Sequence, residues 1–145
     1  MNIIEKSLAI ALQAYSGKQD KAGKAYILHP LRVMAKMDTE YEMAVALLHD
    51  VIEDSDYTAE YLLEEGIPLD VVNAVQLLSK SGDESYHQFI NRVSANPLAV
   101  KVKIADIEDN INILRLKVID TKDLERMAKY HAAWKTLQTL TPITS

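Results

Sequence analysis

Between Val100 and Leu114 the apolar residues Val100, Ile104, Ile107, Ile111 and Leu114 recur at intervals of four, three, four and three. That spacing keeps all five side chains on one side of an α-helix and would scatter them over both faces of a strand. The same period returns in Ile4, Leu8, Ala11, Leu12 and Tyr15, and again in Leu124, Met127, Ala128, His131 and Trp134. Each set is expected to be the buried side of a helix. No stretch sustains period-two alternation, so the chain is expected to be all-α.

Local signals divide the rest. Gly17 and Gly23 bracket a polar, lysine-rich loop, and Pro30 suits the first turn of a helix carrying Leu31, Met34 and Ala35. Thr39 and Glu42 have capping-box spacing ahead of an apolar run to Leu48, as do Ser85 and Gln88 ahead of a helix that ends before Pro97. Thr58 can cap a helix stopped by Gly66, Pro68 opens another through Leu78, and a last one begins near Thr121. The sum is about seven or eight helices in one domain spanning residues 1–145, with Trp134 and the five methionines in its core.

Hydrophobic residues at 48% supply enough material for that core. A net charge of −5 argues against nonspecific nucleic-acid binding. The absence of cysteine excludes disulfides, thiolate zinc sites and cysteine nucleophiles, and fits a reducing compartment. No apolar run approaches the ~18 residues of a membrane span. Glu5 inside the first apolar pattern marks an amphipathic helix and not a signal peptide. The expected setting is soluble and cytoplasmic, with no membrane and no nucleic acid as partner.

Against this background the stretch "ALLHDVIEDSD", residues 46 to 56, is conspicuous. An apolar run leads into His49 and Asp50, then Glu53 and Asp54; if the helix continues, these four share one sector. Alone, such a pair reads as an exposed acidic helix end. Two other places weigh against that. His29 precedes Pro30 in an apolar setting, and Asp106 flanks the buried stripe with Asn110 one turn later. Asp109 and Glu108 read as solvated surface acids. Burying several carboxylates together is costly without a cation. His29, His49, Asp50 and Asp106 together offer two imidazoles and two carboxylates, a donor set suited to Mn²⁺, Fe²⁺ or Zn²⁺. Such an ion can activate water and polarise phosphorus.

The order "HP … HDVIED … KIAD…N" resembles the HD-domain metal-dependent phosphohydrolases, above all the hydrolase half of the RelA/SpoT enzymes and their small stand-alone relatives. The resemblance runs from about Leu8 to Leu116. It implies a single HD-domain helical bundle that cleaves the 3′-pyrophosphate of (p)ppGpp. It implies one divalent metal, typically Mn²⁺, on His29, His49, Asp50 and Asp106. Glu53 and Asp54 would position or deprotonate the attacking water, and Asn110 would contact substrate. Ahead of His29 the stretch "AYSGKQDKAGKAYILHP" departs from the pattern usual in relatives: Tyr15 stands at a histidine, Lys18 at a glutamine and Asp20 at an arginine, while Lys21, Gly23 and Tyr26 are kept. Asp20 reverses the charge at a position that lines the nucleotide pocket in relatives. Lys18 and Lys21 can reach phosphate from shifted positions. Lys103, on the face of Asp106 and Asn110, is a further phosphate candidate, whereas Arg115 reads as routine surface charge and His131 as a packed histidine. The partner is thus a small phosphorylated nucleotide. Two alternatives stay open: a phosphatase of another nucleotide or dinucleotide cofactor, and a non-catalytic module sensing a nucleotide or metal.

Overall fold

Capping chemistry sets most of the helix starts. In the computed structural model, which describes residues 1–140, Asn2, Thr39, Ser85 and Asp120 each form a reciprocal capping box, and Thr58 and Asn96 cap through their side chains alone. The helices so defined are α1 (Ile3–Ala14), α2 (Leu28–Ala35), α3 (Glu40–Leu48), the single turn α4 (Val51–Asp54), α5 (Ala59–Glu64), α6 (Leu69–Leu77), α7 (Tyr86–Val93), α8 (Pro97–Asn110) and α9 (Thr121–Gln138). A 3₁₀ turn, Ile113–Arg115, follows α8. The described residues form no strand; Gln19 and Ala25 make one isolated bridge within the loop between α1 and α2. Residues 141–145 of the expected unit lie outside the described ones.

α3 is the axis of the fold. Ala44 to Leu48 are wholly buried, so the C-terminal half of this helix is apolar all round and must be covered on every side. α1, α2, α6 and α8 supply the cover. The buried apolar side chains form one cluster to which every α-helix contributes. α5 ends where Gly66 takes a left-handed backbone (φ +90°) that an L-residue rarely adopts.

Three expected faces are corrected. α1 buries Ser7, Ile10, Ala11 and Ala14, while Leu12 is 50% exposed. Three of these four buried residues are small, and small residues carry little weight in an apolar pattern, whereas Ala11 and Tyr15 of the expected face are buried as read. On α9 the buried residues are Asp123, Ala133 and Leu137; Leu124, Ala128 and His131 are exposed, so His131 is no packed histidine and stacks on Trp134 at the surface. α8 ends at Asn110, and Leu114, the last member of the stripe, is 91% exposed on the 3₁₀ turn. Met1 is also exposed, so not all methionines join the core.

Candidate metal centre

The helix carrying His49 does not continue through Asp54. It stops at Leu48, Asp50 takes a non-helical φ of −104° and ψ of 1°, and α4 restarts at Val51. The shared helical sector expected for His49, Asp50, Glu53 and Asp54 is therefore replaced by a bend. At this bend His49 and Asp50 meet His29 from the first turn of α2 and Asp106 from the inner face of α8.

One donor atom from each of the four lies within 4.8 Å of the others. His29 Nε2 is 2.8 Å from Asp106 Oδ1 and 3.3 Å from His49 Nε2. His49 Nε2 is 3.1 Å from Asp50 Oδ2 and 3.3 Å from Asp106 Oδ1. His29, His49 and Asp106 are buried, and Asp50 is largely so. The other nitrogen of each ring already has a partner: His49 Nδ1 donates to the Ala46 carbonyl at 2.6 Å, and His29 Nδ1 donates to Asp109 Oδ2 at 2.6 Å. Each neutral imidazole then turns a bare Nε2 lone pair towards the same point as two carboxylate oxygens. Four electron-rich atoms facing one another in a dry site require a cation, and the set fits a divalent metal. Protons are the other cations that meet this need. Burial pulls the His49 pKa down, but Asp50 and Asp106 outweigh it and hold the pKa well above 6.5. Burial likewise opposes ionisation of Asp106, and Lys103 and His49 overcome it.

Around the four stand groups that hold them. Lys103 Nζ sits 2.9 Å from Asp106 Oδ2, over the Phe89 ring at 5.2 Å. Asn110 Nδ2 donates to Asp106 Oδ1 at 3.0 Å. Tyr26 OH donates to Asp50 Oδ2, and Tyr15, 2% exposed, packs its ring 4.9 Å from that of Tyr26. Burial and the charges of Asp50 and Asp54 push the Tyr15 phenol up, so it stays protonated. Glu53 and Asp54 are exposed on α4. Partial removal from water and the nearby Asp50 charge push both carboxyls up.

A cavity of about 310 Å³ opens beside the cluster. Lys21, Asn110, Tyr26, His29, Arg32 and Arg115 are on its wall, with Asp20 among them. Asp20 Oδ1 accepts from the backbone N–H groups of Ala22 and Lys24, both at 2.9 Å, so much of its acceptor capacity shapes the loop. Lys18 Nζ donates to the Asp54 carbonyl oxygen.

The sequence reading missed Asp109, expected to be solvated, and Arg115, expected to be routine surface charge. Asp109 is buried and accepts from Arg32, Arg115 and His29. Burial raises its pKa, and those three partners bring it well below the usual carboxylate range. The spacing held a signal: Arg32 follows His29 by three residues and Asp109 follows Asp106 by three, so each shares a helix face with a ligand candidate.

No protein-family profile matches the chain. It is 31% identical over 127 residues to a probable GTP pyrophosphokinase of Mycobacterium leprae, covering 79% of this chain and 16% of that one. It is 33% identical over 119 residues to a guanosine-3′,5′-bis(diphosphate) 3′-pyrophosphohydrolase of Haemophilus influenzae, covering 72% and 18%. The chain therefore spans less than a fifth of these relatives' length. A solved metazoan orthologue of SpoT, a protein that hydrolyzes ppGpp, superposes with a TM-score of 0.79 at 20% identity, over 94% of this chain and 85% of that one, and so shares the fold. Ancestry in sequence and likeness in fold agree: the chain is a homologue of the SpoT/RelA-type guanosine polyphosphate enzymes.

Proposed function

We propose that the chain is a metal-dependent phosphohydrolase of a phosphorylated nucleotide, acting on (p)ppGpp at its 3′-pyrophosphate. The observation that carries this reading is the convergence of His29, His49, Asp50 and Asp106 on one point. The activities named for the Haemophilus relative and the metazoan orthologue support the substrate. One divalent ion, Mn²⁺ first and Fe²⁺ or Zn²⁺ next, suits this mixed donor set. Bound there, it supplies polarisation of a phosphoryl oxygen and a lowered pKa for water.

The chain's own residues do the rest. Glu53 and Asp54 orient the attacking water and take its proton; a carboxyl raised towards neutrality is the better base. Lys21 and Asn110 meet the substrate in the cavity, while Lys18 beside Asp54 and Lys103 beside Asp106 present charge to the phosphates. The water oxygen bonds to phosphorus and the bond from that phosphorus to the ribose 3′-oxygen breaks. Pyrophosphate leaves, and the 3′-oxygen regains a proton. The unit is a single HD-type hydrolase domain, residues 1–145. It works in the cytoplasm on a small molecule, with neither nucleic acid nor membrane as partner.

Asp20 on the cavity wall favours a second substrate, another nucleotide or a dinucleotide phosphate, because it sets negative charge beside the ligand. Purified protein given Mn²⁺ and ppGpp is expected to release GDP and pyrophosphate, and chelation to stop the release. Turnover of a different nucleotide alone reassigns the substrate. Saturable binding with no hydrolysis of any phosphoester makes the chain a sensing module, and the absence of both binding and hydrolysis overturns the proposal.

A further inference from the structure

Asp109 is a buried carboxylate to which the reaction above gives no task. It lies one helical turn beyond Asp106 and accepts from four donor atoms. Its Oδ1 takes Arg32 Nε at 2.7 Å and Arg115 Nη1 at 3.1 Å. Its Oδ2 takes Arg32 Nη2 at 3.0 Å and His29 Nδ1 at 2.6 Å. Arg115 reaches further, to the Asp109 carbonyl oxygen at 2.6 Å, so the 3₁₀ turn after α8 is folded back onto the same residue.

Charge-assisted bonds from two guanidinium groups hold Asp109 ionised, and an ionised carboxylate only accepts. The hydrogen between Asp109 and His29 is consequently on Nδ1. A neutral imidazole has one N–H. With it fixed on Nδ1, the lone pair is fixed on Nε2, the atom that faces His49, Asp50 and Asp106. The two histidines are not treated alike. His49 is backed by the dipole of the Ala46 carbonyl, whereas His29 is backed by a full negative charge.

We infer that Asp109 is a positioning residue of the metal centre: it fixes the tautomer and ring orientation of His29 and raises the basicity of its Nε2, while Arg32 and Arg115 lock the carboxylate in place. A carboxylate behind a ligating histidine strengthens the ligand and sets its direction. An ion pair that merely ties α2 to α8 would be complete with the arginines alone and would leave His29 free to rotate. This inference rests on the metal-centre reading and deepens it by naming what stands behind one ligand.

Asp109→Asn tests it, because it keeps the size and one acceptor oxygen and removes the charge. Mn²⁺ titration followed by electron paramagnetic resonance of the free ion is expected to show affinity lower by about 10–100-fold. Glu84→Gln, at a carboxylate that takes the Arg92 fork and touches no histidine, is expected to leave Mn²⁺ affinity unchanged. In Zn²⁺-loaded protein the His29 ring is expected to show a downfield Nδ1–H resonance in nitrogen-15 spectra, moved upfield in Asp109→Asn. Unchanged affinity in Asp109→Asn overturns the inference. Should that variant not fold, the wild-type spectrum decides: a His29 proton on Nε2 in the loaded protein overturns it too. Neither readout needs turnover, so a wrong substrate leaves the inference standing, while wild-type protein that takes up no metal removes the centre and the inference together.

Discussion

The acids near the centre differ in whether and how their charge is offset. Asp106 has Lys103, Asp50 has the Tyr26 hydroxyl, and Asp109 has two arginines. Glu53 has no side-chain ion pair among the described residues, and its carboxyl is pushed up by partial burial and by the Asp50 and Asp54 charges. A carboxyl raised in the folded state is destabilising once ionised. Glu53→Gln is therefore expected to retain metal, to lower kcat by about 10²–10⁴-fold, and to melt no lower than wild type in a thermal scan. His49→Ala is expected to lose the metal and the activity together; a His49→Ala protein that still holds metal with wild-type affinity would remove His49 from the ligand set. The four ligand candidates were legible only in combination: His49 and Asp50 alone read as a solvated helix end, and it is their order with His29-Pro30 and the stretch ending in Asp106 that resembles a known family. Asp109 was not, since its partners are remote in sequence and an acid next to Glu108 looks like any solvated helix end.

At the level of the helices, what was legible was what is local. The capping boxes at Thr39 and Ser85 and the stop at Gly66 are written in three or four consecutive residues, and the structure has each of them. At the bend Asp50 meets Tyr26, 24 residues away in sequence, and no local period announces it. The faces of α1 and α9 were misjudged for a related reason: periodicity weights large side chains, whereas α1 buries Ser7, Ala11 and Ala14 along with Ile10. The difference is measurable. Leu48→Ala, wholly buried on α3, is expected to lower the unfolding free energy by about 2–5 kcal/mol in chemical denaturation. Leu12→Ala, half exposed on α1, is expected to change it by no more than about 0.5 kcal/mol. Equal losses would restore the face first read from the sequence.

For the whole molecule, cation and fold are linked through the two histidines. Folded His49 holds its proton more tightly than an unfolded chain does, so that proton contributes stability below pH 6.5. The contribution is lost as pH rises through the raised folded value. For a divalent ion to be held by the same nitrogens, as proposed above, protons must leave to admit it. Mn²⁺ affinity is expected to tighten from about pH 6 to about pH 8, with protons released on binding. The fall in melting temperature on adding EDTA is expected to widen in the same direction. A pH-independent affinity would mean that the imidazoles do not hold the ion.

The two ends of the ligand set have a bearing on how the chain comes together in time. His29 and Asp106 are 77 positions apart, and closing so long a loop is an entropic cost met before any contact across it is made. Helical turns such as those of α3 form within about a microsecond. His49 and Asp50 are neighbours in sequence and need no closure, yet a pair of donors grips an ion far less tightly than four. On a ribosome, His29, His49 and Asp50 emerge well before Asp106 does. The set of four donors is complete only once α8 docks, so time-resolved Mn²⁺ uptake is expected to report that docking and not the formation of α3.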